Sequence, residues 1–336
     1  MEFELVRPSF SSFHMAAART SEDSNVLGRE GSIRTGSPVI NTVALPVKEE
    51  GAEAHRARES KWIAMMSQSR KNKKVRKLIA EGVPSSVRYP VWSFLTDAKA
   101  KCVPGVYEQL CSRGRVGCSE VMERDIQRCF TDQPHLMGKK GPVQTVLQAY
   151  LTMVPDVSYS MALTLIAGQL LLLAPEEDAF WILVSLMDTH LRSFFSPASN
   201  QLDVDAMLFI EALESNDRDL VKRLPGPDLH TVCTAWFTTV FVDVLPPEYV
   251  LRVWDYFLYD GIPFLFRVGL ALILAARPRL ANGADMKETL THPSMSWLPP
   301  SPDALCAMAL GVKMKDEDLA KRRTKMEAKR GIRMTR

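Results

Sequence analysis

Residues 143–151 read VQTVLQAYL, and their apolar side chains recur with the spacing of an α-helix. Five of them lie at i, i+3, i+4, i+7 and i+8, on one stripe of a helix: Val143, Val146, Leu147, Tyr150 and Leu151. Such a stripe predicts a helix that packs one face against a core. Similar helical segments recur from residue 59 onward, and the alternation typical of strands is absent. The sequence therefore predicts an all-α fold.

Composition restricts the class of protein. The chain has 336 residues, of which 46% are apolar, and this is enough for a core of domain size. Its 42 Lys and Arg against 39 Asp and Glu give a net charge of +3, too small to indicate a surface for nucleic acid. The six cysteines form no CxxC pair and the histidines lack ligand spacing, so we expect no metal site.

Two apolar runs are too short to span a membrane. Residues 163–175 end at Pro175 before two glutamates, and residues 264–276 contain Arg267. A spanning helix needs about 20 apolar residues. We therefore expect both runs to form buried core helices.

Changes in composition divide the chain into four parts. Residues 1–57 mix Ser, Thr, Gly, Pro and charges without a sustained apolar period, so we expect a disordered segment. We predict the main helical domain for residues 58–280 and a helical extension of it for residues 281–312. Residues 313–336 hold ten Lys and Arg against four Asp and Glu, which leaves +6 and predicts a basic tail.

The basic tail has two interpretations. One is a solvated, partly helical segment without a further role. The other is attraction to anionic lipid at the cytoplasmic leaflet, where each basic residue near the surface contributes about 1 kcal/mol. Glu2, Glu4 and Arg7 interrupt the apolar stretch that a secretory signal needs. We therefore predict a cytoplasmic protein, peripheral on endomembranes under the second interpretation.

Motifs for the binding and hydrolysis of a nucleotide are absent from the sequence. It contains no GxxxxGK[ST], no dinucleotide GxGxxG, no HExxH and no GxSxG. No pairing of a nucleophile with a base is recognisable, which disfavours an autonomous hydrolase. We therefore expect any chemistry to take place on a partner.

Several blocks, in order between residues 59 and 280, resemble the TBC domain, the family that accelerates GTP hydrolysis by Rab-type small GTPases. They are Trp62 with LIAEGVPSSVRYPVWSFL (78–95), MERDIQR (122–128), DVSYSMALTLIAG (156–168) and AWFTTVFVDVLPPEYVLRVWDYFLYDG (235–261). One block alone is unspecific, but the ordered set is specific. The resemblance implies a two-lobed, multi-helix domain. It also implies a GTPase activator without a nucleotide site or cofactor of its own, because GTP and magnesium are carried by the partner GTPase.

The segment MERDIQR is similar to the family's IxxDxxR motif, which implies that Arg128 is an arginine finger. A finger enters the GTPase site and stabilises charge on the transferred phosphoryl group, which is worth roughly 10³ to 10⁵ in rate. The guanidinium of an arginine is planar and permanently charged, so it can donate hydrogen bonds to two phosphoryl oxygens at once. Asp125 is then expected to place the helix or the guanidinium. Without the resemblance, the two residues suggest a local ion pair worth about 0.2 to 0.5 kcal/mol.

Tyr159, Ser160 and Met161 occupy the place of the family's YxQ motif and are expected to contact the partner. The family's glutamine positions the attacking water, whereas the thioether of methionine is a weak acceptor and no donor. Gln169 lies ten residues further along the same predicted helix, roughly 15 Å away. Three other glutamines are candidate replacements that the sequence does not rank: Gln127, Gln144 and Gln148.

The substitution at 161 leaves three outcomes open. Arg128 acts with the GTPase's own glutamine, or the protein is a slow activator, or it is a scaffold that binds a Rab without activating it. The remaining motif residues have a structural interpretation, since tryptophan buries much apolar area and an Arg paired with Asp in a helical core fixes packing. They are Gly82, Pro84, Arg88, Trp92, Trp236, Arg252, Trp254 and Asp255.

Overall fold

The computed structural model describes residues 49–68, 73–114, 116–138 and 140–334, and these residues form helices and connecting turns without a β-strand. The all-α prediction is confirmed. The first two helices are α1 (Glu49–Met66) and α2 (Lys73–Glu81). A 3₁₀ turn at Ser85–Val87 leads into the first of two helical groups.

The N-terminal group surrounds the helix that the apolar stripe predicts. Its members are α3 (Arg88–Thr96), α4 (Ala98–Lys101), α5 (Val106–Cys111), α6 (Ser119–Cys129), α7 (Pro142–Met153), α8 (Met161–Leu171), α9 (Glu176–Leu186) and α10 (Arg192–Phe195). Helix α7 contacts α5, α6, α8 and α9, and its predicted stripe is buried. A 3₁₀ turn at Pro134–Leu136 precedes α7, and a π-helical turn at Met187–Leu191 follows α9.

The C-terminal group packs around the longest of its helices, α15. Its members are α11 (Gln201–Asn216), α12 (Arg218–Val221), α13 (Gly226–Thr239), α14 (Pro247–Asp260), α15 (Ile262–Ala281), α16 (Met286–Thr291), α17 (Pro302–Gly311) and α18 (Asp316–Met334). Helix α15 contacts α14, α16 and α17. The two groups meet where α8 contacts α13 and where α3 contacts α14, which agrees with the two lobes that the resemblance implies.

The two long apolar runs are core helices, as predicted. Residues 162–170 of α8 are all buried, and most of α15 is buried as well. Arg267 interrupts the apolar surface of α15, and its guanidinium donates to the carbonyl of Met314 at 2.9 Å. Within the part of the chain that the structure describes, no helix combines the length and apolar character needed to cross a bilayer.

The first helix begins before the predicted domain start at residue 58. Helix α1 begins at Glu49, inside the segment expected to be disordered, while residues 1–48 of that prediction lie outside the described residues. The stretch that follows Glu49 is rich in Glu, Ala and Arg. These residues favour helix without producing an apolar period, so a search based on periodicity does not detect them.

The predicted basic tail is a docked helix over the described part of its length. Helix α18 packs against α11 and buries Leu319. Arg323 holds Asp205 with two hydrogen bonds of 2.8 Å, and Asp205 is fully buried. Arg322 lies 3.4 Å from Glu211. Arg323 of the +6 cluster is therefore engaged within the domain, and α18 is packed against α11, which corrects the interpretation of the segment as a fully solvated tail.

Candidate functional site

Helix α6 presents Arg128 to solvent because its opposite face is held in the core. Met122 and Ile126, one turn apart, are buried, and Arg128 is exposed near the C-terminal end. The next turn is fixed by Phe130, whose ring lies over Gly168 of α8. A Cβ at Gly168 would be 2.0 Å from the ring, so only glycine permits this approach. The end of α6 is thereby set against α8.

Arg128 and Asp125 do not form the local ion pair that their spacing suggests. Among the described residues, Arg128 has no hydrogen-bond or ion-pair partner. The carboxylate of Asp125 accepts a hydrogen bond of 2.8 Å from the hydroxyl of Tyr159 instead. Asp125 therefore ties α6 to the segment before α8, and the guanidinium of Arg128 points to solvent without an internal counter-ion.

Tyr159 joins two of the predicted site segments. Its hydroxyl donates to Asp125 and, having one proton, accepts from the hydroxyl of Thr164 at 2.8 Å. Burial raises the pKa of Tyr159 well above its usual range, and the neighbouring Asp125 carboxylate acts in the same direction. The phenol therefore remains a neutral donor at physiological pH, as its bond to a carboxylate requires.

Thr164 is a residue of this site that the sequence did not single out. It is a buried hydroxyl in a mostly apolar helix and lies five positions after Tyr159. A buried hydroxyl needs a hydrogen-bond partner. A threonine within a long apolar run was therefore the feature of the sequence that could have indicated a buried polar contact.

Helix α8 begins at Met161, with Ser160 as its N-cap residue. The side chain of Ser160 makes no capping hydrogen bond, and Met161 is 37% exposed. Helices α6 and α8 pack against each other. The site therefore presents an exposed thioether at the start of one helix and an exposed guanidinium near the end of its neighbour.

The candidate glutamines differ in their contacts. Gln144 is buried, accepts from the backbone of Lys140 at 3.0 Å and donates to Glu123 at 3.0 Å, so both ends of its amide are engaged. Gln148 donates to the carbonyl of Gly114 at 3.3 Å.

Gln169 is buried in α8. Gln127 is exposed beside Arg128 and has no hydrogen-bond partner among the described residues. Of the four, Gln127 has the amide that is most available to a partner.

The other motif residues build a buried polar network between the entry segment and α14. The indole of Trp92 donates to Asp255 at 2.8 Å, and the guanidinium of Arg88 lies 3.4 Å from the same carboxylate oxygen. Arg88 also donates to the carbonyl of Val83 at 2.7 Å. Burial raises the pKa of Asp255, while Arg88 favours its charged form.

Arg252 extends this network to α2 and α17. It donates to the carbonyl of Ile79 at 2.7 Å and to Asp303 at 2.6 Å, and it lies 3.7 Å from Asp255. Its guanidinium also stacks over the ring of Tyr256 at 4.7 Å. These contacts join α14 to α2 and α17.

The tryptophans and the entry turn are likewise occupied inside the fold. Trp254 donates to the carbonyl of Val240 at 3.0 Å, and Trp236 donates to that of Leu290 at 3.3 Å. Gly82 has φ +102°, which favours glycine, and its carbonyl accepts from the indole of Trp62 at 3.1 Å. Pro84 follows in extended conformation before the 3₁₀ turn. Within the described ranges, no group of His, Cys, Asp and Glu side chains is arranged to hold a metal ion.

Comparison with known protein families gives this arrangement a context. The model of the Rab-GTPase-TBC domain matches residues 85–281, more than half of the chain. This chain belongs to the Rab-GTPase-TBC domain family. The matched range contains both the exposed Arg128 site and most of the buried network, so the TBC domain accounts for both.

Relatives of this TBC protein are about one-third identical to it. Mouse Carabin is 32% identical over 295 residues, which cover 80% of this chain and 65% of that protein. Mouse TBC1 domain family member 10A is 32% identical, with 68% of this chain and 48% of that protein covered. The Drosophila melanogaster TBC1 domain family member whacked is 34% identical, with 66% and 65% covered. The chain thus spans less than two thirds of the length of each relative.

Solved TBC domains share the fold. The structure of the Chlamydomonas flagellar RabGAP TBC domain has a TM-score of 0.65 at 24% identity and covers 81% of this chain and 99% of its own. The Ypt/Rab-GAP domain of Gyp1p has a TM-score of 0.62 at 14% identity and covers 76% and 97%. At these identities the likeness establishes the helical architecture alone.

Proposed function

We propose that this protein accelerates GTP hydrolysis by a Rab-type small GTPase and that Arg128 enters the partner's nucleotide site. The observation that carries the proposal is the exposed guanidinium of Arg128, which has no counter-ion among the described residues and lies in a segment similar to the family's IxxDxxR motif. Arg128 is available to an external anion, while Asp125 is occupied by Tyr159. The partner supplies GTP and magnesium, so this chain acts as a regulator of the partner's active site.

The chemistry follows from the charge that develops during phosphoryl transfer. Negative charge on the transferred group is stabilised by a preorganised cation, and a guanidinium offers two parallel donors to two oxygens. Asp125 and Tyr159 contribute by fixing α6 against the start of α8, so that less freedom is lost when the partner binds. In this proposal they are positioning residues and do not exchange protons with the substrate.

Water positioning falls to another amide, since Met161 lacks the required donor. The partner's own glutamine is one source, and Gln127 beside Arg128 is the one that this chain offers. The alternative function is a Rab-binding scaffold that does not accelerate hydrolysis. The observation that favours it is Met161 in the place of the family's glutamine.

A panel of GTP-loaded Rabs in single-turnover assays tests the proposal. We expect wild-type protein to stimulate at least one Rab. Arg128→Ala and Arg128→Lys should lose most of the roughly 10³-fold or greater enhancement of a finger, since lysine lacks the planar fork. Arg218→Ala, which removes an exposed arginine of α12, is the matched control and should retain activity. Full stimulation by both Arg128 variants would exclude this residue as the finger.

Met161→Gln separates the activator from the scaffold. Met161 is exposed at the first residue of α8, so a glutamine fits without disturbing the core. We expect faster stimulated hydrolysis because the amide both donates and accepts hydrogen bonds. Met161→Leu is the control that changes shape without adding an amide. If Met161→Gln and wild type both bind a Rab without stimulating it, the scaffold function is the correct one.

We also propose a cytoplasmic location, with the exposed basic side chains of α18 facing anionic lipid. Lys321, Arg322 and Lys325 are exposed, whereas Arg323 is bound to Asp205. Sedimentation with phosphatidylserine vesicles should recover wild-type protein and lose a Lys321→Glu/Lys325→Glu variant at low salt. Equal recovery of both would remove lipid contact from the function of this helix.

A further inference from the structure

A groove next to Tyr159 is not used by the contacts described above. It has a volume of about 480 Å³ and lies between the start of α6, the end of α7 and the segment before α8. Its walls are mainly aliphatic, and the described residues that line it carry no charge. The residues that line it include Val121, Leu151, Val157, Ser158 and Tyr159, and we name this cavity the Val121 groove.

The Val121 groove opens beside the Arg128 site. Val121 is 42% exposed and precedes Arg128 by seven residues on α6. Seven residues return a helix to the same face within about 20°. The rise over that interval is roughly 10 Å. Tyr159, which donates a hydrogen bond to Asp125 three residues before Arg128 on α6, also forms one wall of the groove. A partner whose phosphates meet Arg128 therefore covers the Val121 groove as well.

We propose that the Val121 groove receives a large apolar side chain of the Rab-type partner, which anchors the GTPase about two helical turns from Arg128. This inference rests on the proposed function for the identity of the partner. The occupant is apolar because the described walls are mainly aliphatic, and a charged side chain would lose hydration against them without gaining a counter-ion from these residues. Arg128 then stabilises the charge that develops during hydrolysis, and the groove contributes binding affinity. Partners that lack an apolar side chain opposite the groove should bind more weakly.

Because the groove and Arg128 have different roles in this proposal, variants of Val121 and Arg128 should change different kinetic parameters. An anchor that contacts the partner equally in ground state and transition state changes the half-saturating concentration and leaves the maximal rate unchanged. A group that acts on the developing charge changes the maximal rate. Val121→Asp should therefore raise the half-saturating concentration about tenfold or more, the factor of a single lost apolar contact. Arg128→Ala should instead lower the rate at saturation.

The experiment uses the full chain and the Rab of the panel that it stimulates most or, without stimulation, binds most tightly. Binding is measured with the Rab loaded with a non-hydrolysable GTP analogue, and single-turnover hydrolysis is measured over a range of protein concentrations. Val121→Asp and Ser158→Arg place a charge in the groove from two sides, and both positions are exposed, so the fold tolerates them. Val121→Leu keeps the apolar surface and should retain affinity.

Val103→Asp is the matched control, because Val103 is 53% exposed outside the groove. Circular dichroism melts verify that each variant is folded. Weaker binding by Val121→Asp and Ser158→Arg, with Val103→Asp unchanged, supports the proposal. Unchanged binding by both groove variants overturns it, while loss of stimulation in Arg128→Ala still upholds the activator function.

The reverse result is also informative. Weaker binding by the groove variants, together with an Arg128→Ala variant that behaves as wild type, keeps the groove and rejects the finger. Binding to none of the Rabs would overturn both proposals.

Discussion

Two Asp and Arg pairs of this molecule have the same separation on a helix and different environments. Arg252 and Asp255 are buried in α14 and lie 3.7 Å apart, with Arg88 and Trp92 on the same carboxylate. Asp125 and Arg128 lie near the surface of α6, and among the described residues only the Asp has a hydrogen-bond partner. Their common spacing i, i+3 permits contact in both cases.

Burial decides between the two outcomes. A charge removed from water must be paired and hydrogen-bonded, whereas a solvated charge gains little from a neighbour. The buried pair therefore fixes the packing of three helices. The surface arginine is left without an internal partner, which is the state that an external phosphate needs.

The largest loss of unfolding free energy is expected when the buried carboxylate of Asp255 is removed. Asp255→Ala leaves Arg88 and Arg252 without a fully buried counter-ion, and breaking such a pair costs about 3 to 5 kcal/mol of unfolding free energy. Denaturant unfolding measures the loss. Asp303→Ala is the control, because its side chain contacts Arg252 but is 76% exposed, and it should cost below about 1 kcal/mol. Equal costs for the two variants would contradict the role assigned to burial.

A second buried carboxylate extends the comparison to the C-terminal helix. Arg323→Met removes two hydrogen bonds from the fully buried Asp205 and leaves the bond from Gln201 in place. We expect a loss of about 1.5 to 3 kcal/mol, the range for a hydrogen bond to a charged group. Arg322→Met, one residue earlier, removes an exposed pair and should have almost no effect. Chemical denaturation followed by tryptophan fluorescence measures both, and similar midpoints would show that α18 is not held by Arg323.

The smallest loss of unfolding free energy is expected for a change at the site that contains Arg128. Tyr159→Phe removes the hydroxyl that Asp125 and Thr164 share and should cost about 0.5 to 1.5 kcal/mol, because Asp125 is only half-buried. Stimulated hydrolysis should fall less than in Arg128→Ala, since the guanidinium remains. Tyr89→Phe is the control in the stability measurement, because the Tyr89 hydroxyl has no partner among the described residues. A stability equal to wild type would mean that the Asp125 contact does not fix α6.

The helical core was the part of the fold most accessible to prediction from sequence. The apolar stripe of α7 and the buried runs of α8 and α15 follow from periodicity and length, which report burial directly. Helix α1 was missed over its first residues because helix propensity without an apolar face leaves no periodic signal. The docking of α18 was missed because Asp205 lies more than a hundred positions from Arg323, and such pairings are fixed by tertiary structure.

The sequence motifs pointed to the residues of the candidate site, but they did not predict which contacts these residues make. The motifs identified Asp125, Arg128 and Tyr159, but spacing alone suggested a pair between the first two. The bond from Tyr159 to Asp125 depends on how two helices pack, and this information is not local in the sequence. The same packing engages Gln144 and leaves Gln127 exposed, a ranking that the sequence did not provide.

The ring of Phe130 over Gly168 has a consequence for the direction of the guanidinium. Arg128 precedes Phe130 by only two residues, so a tilt of the ring would redirect the arginine side chain. The absence of a side chain at position 168 allows the ring of Phe130 to lie against the backbone of α8, and this contact fixes the end of the helix that carries Arg128. The direction of an exposed arginine in this molecule thus depends on the shape of a contact between two uncharged residues.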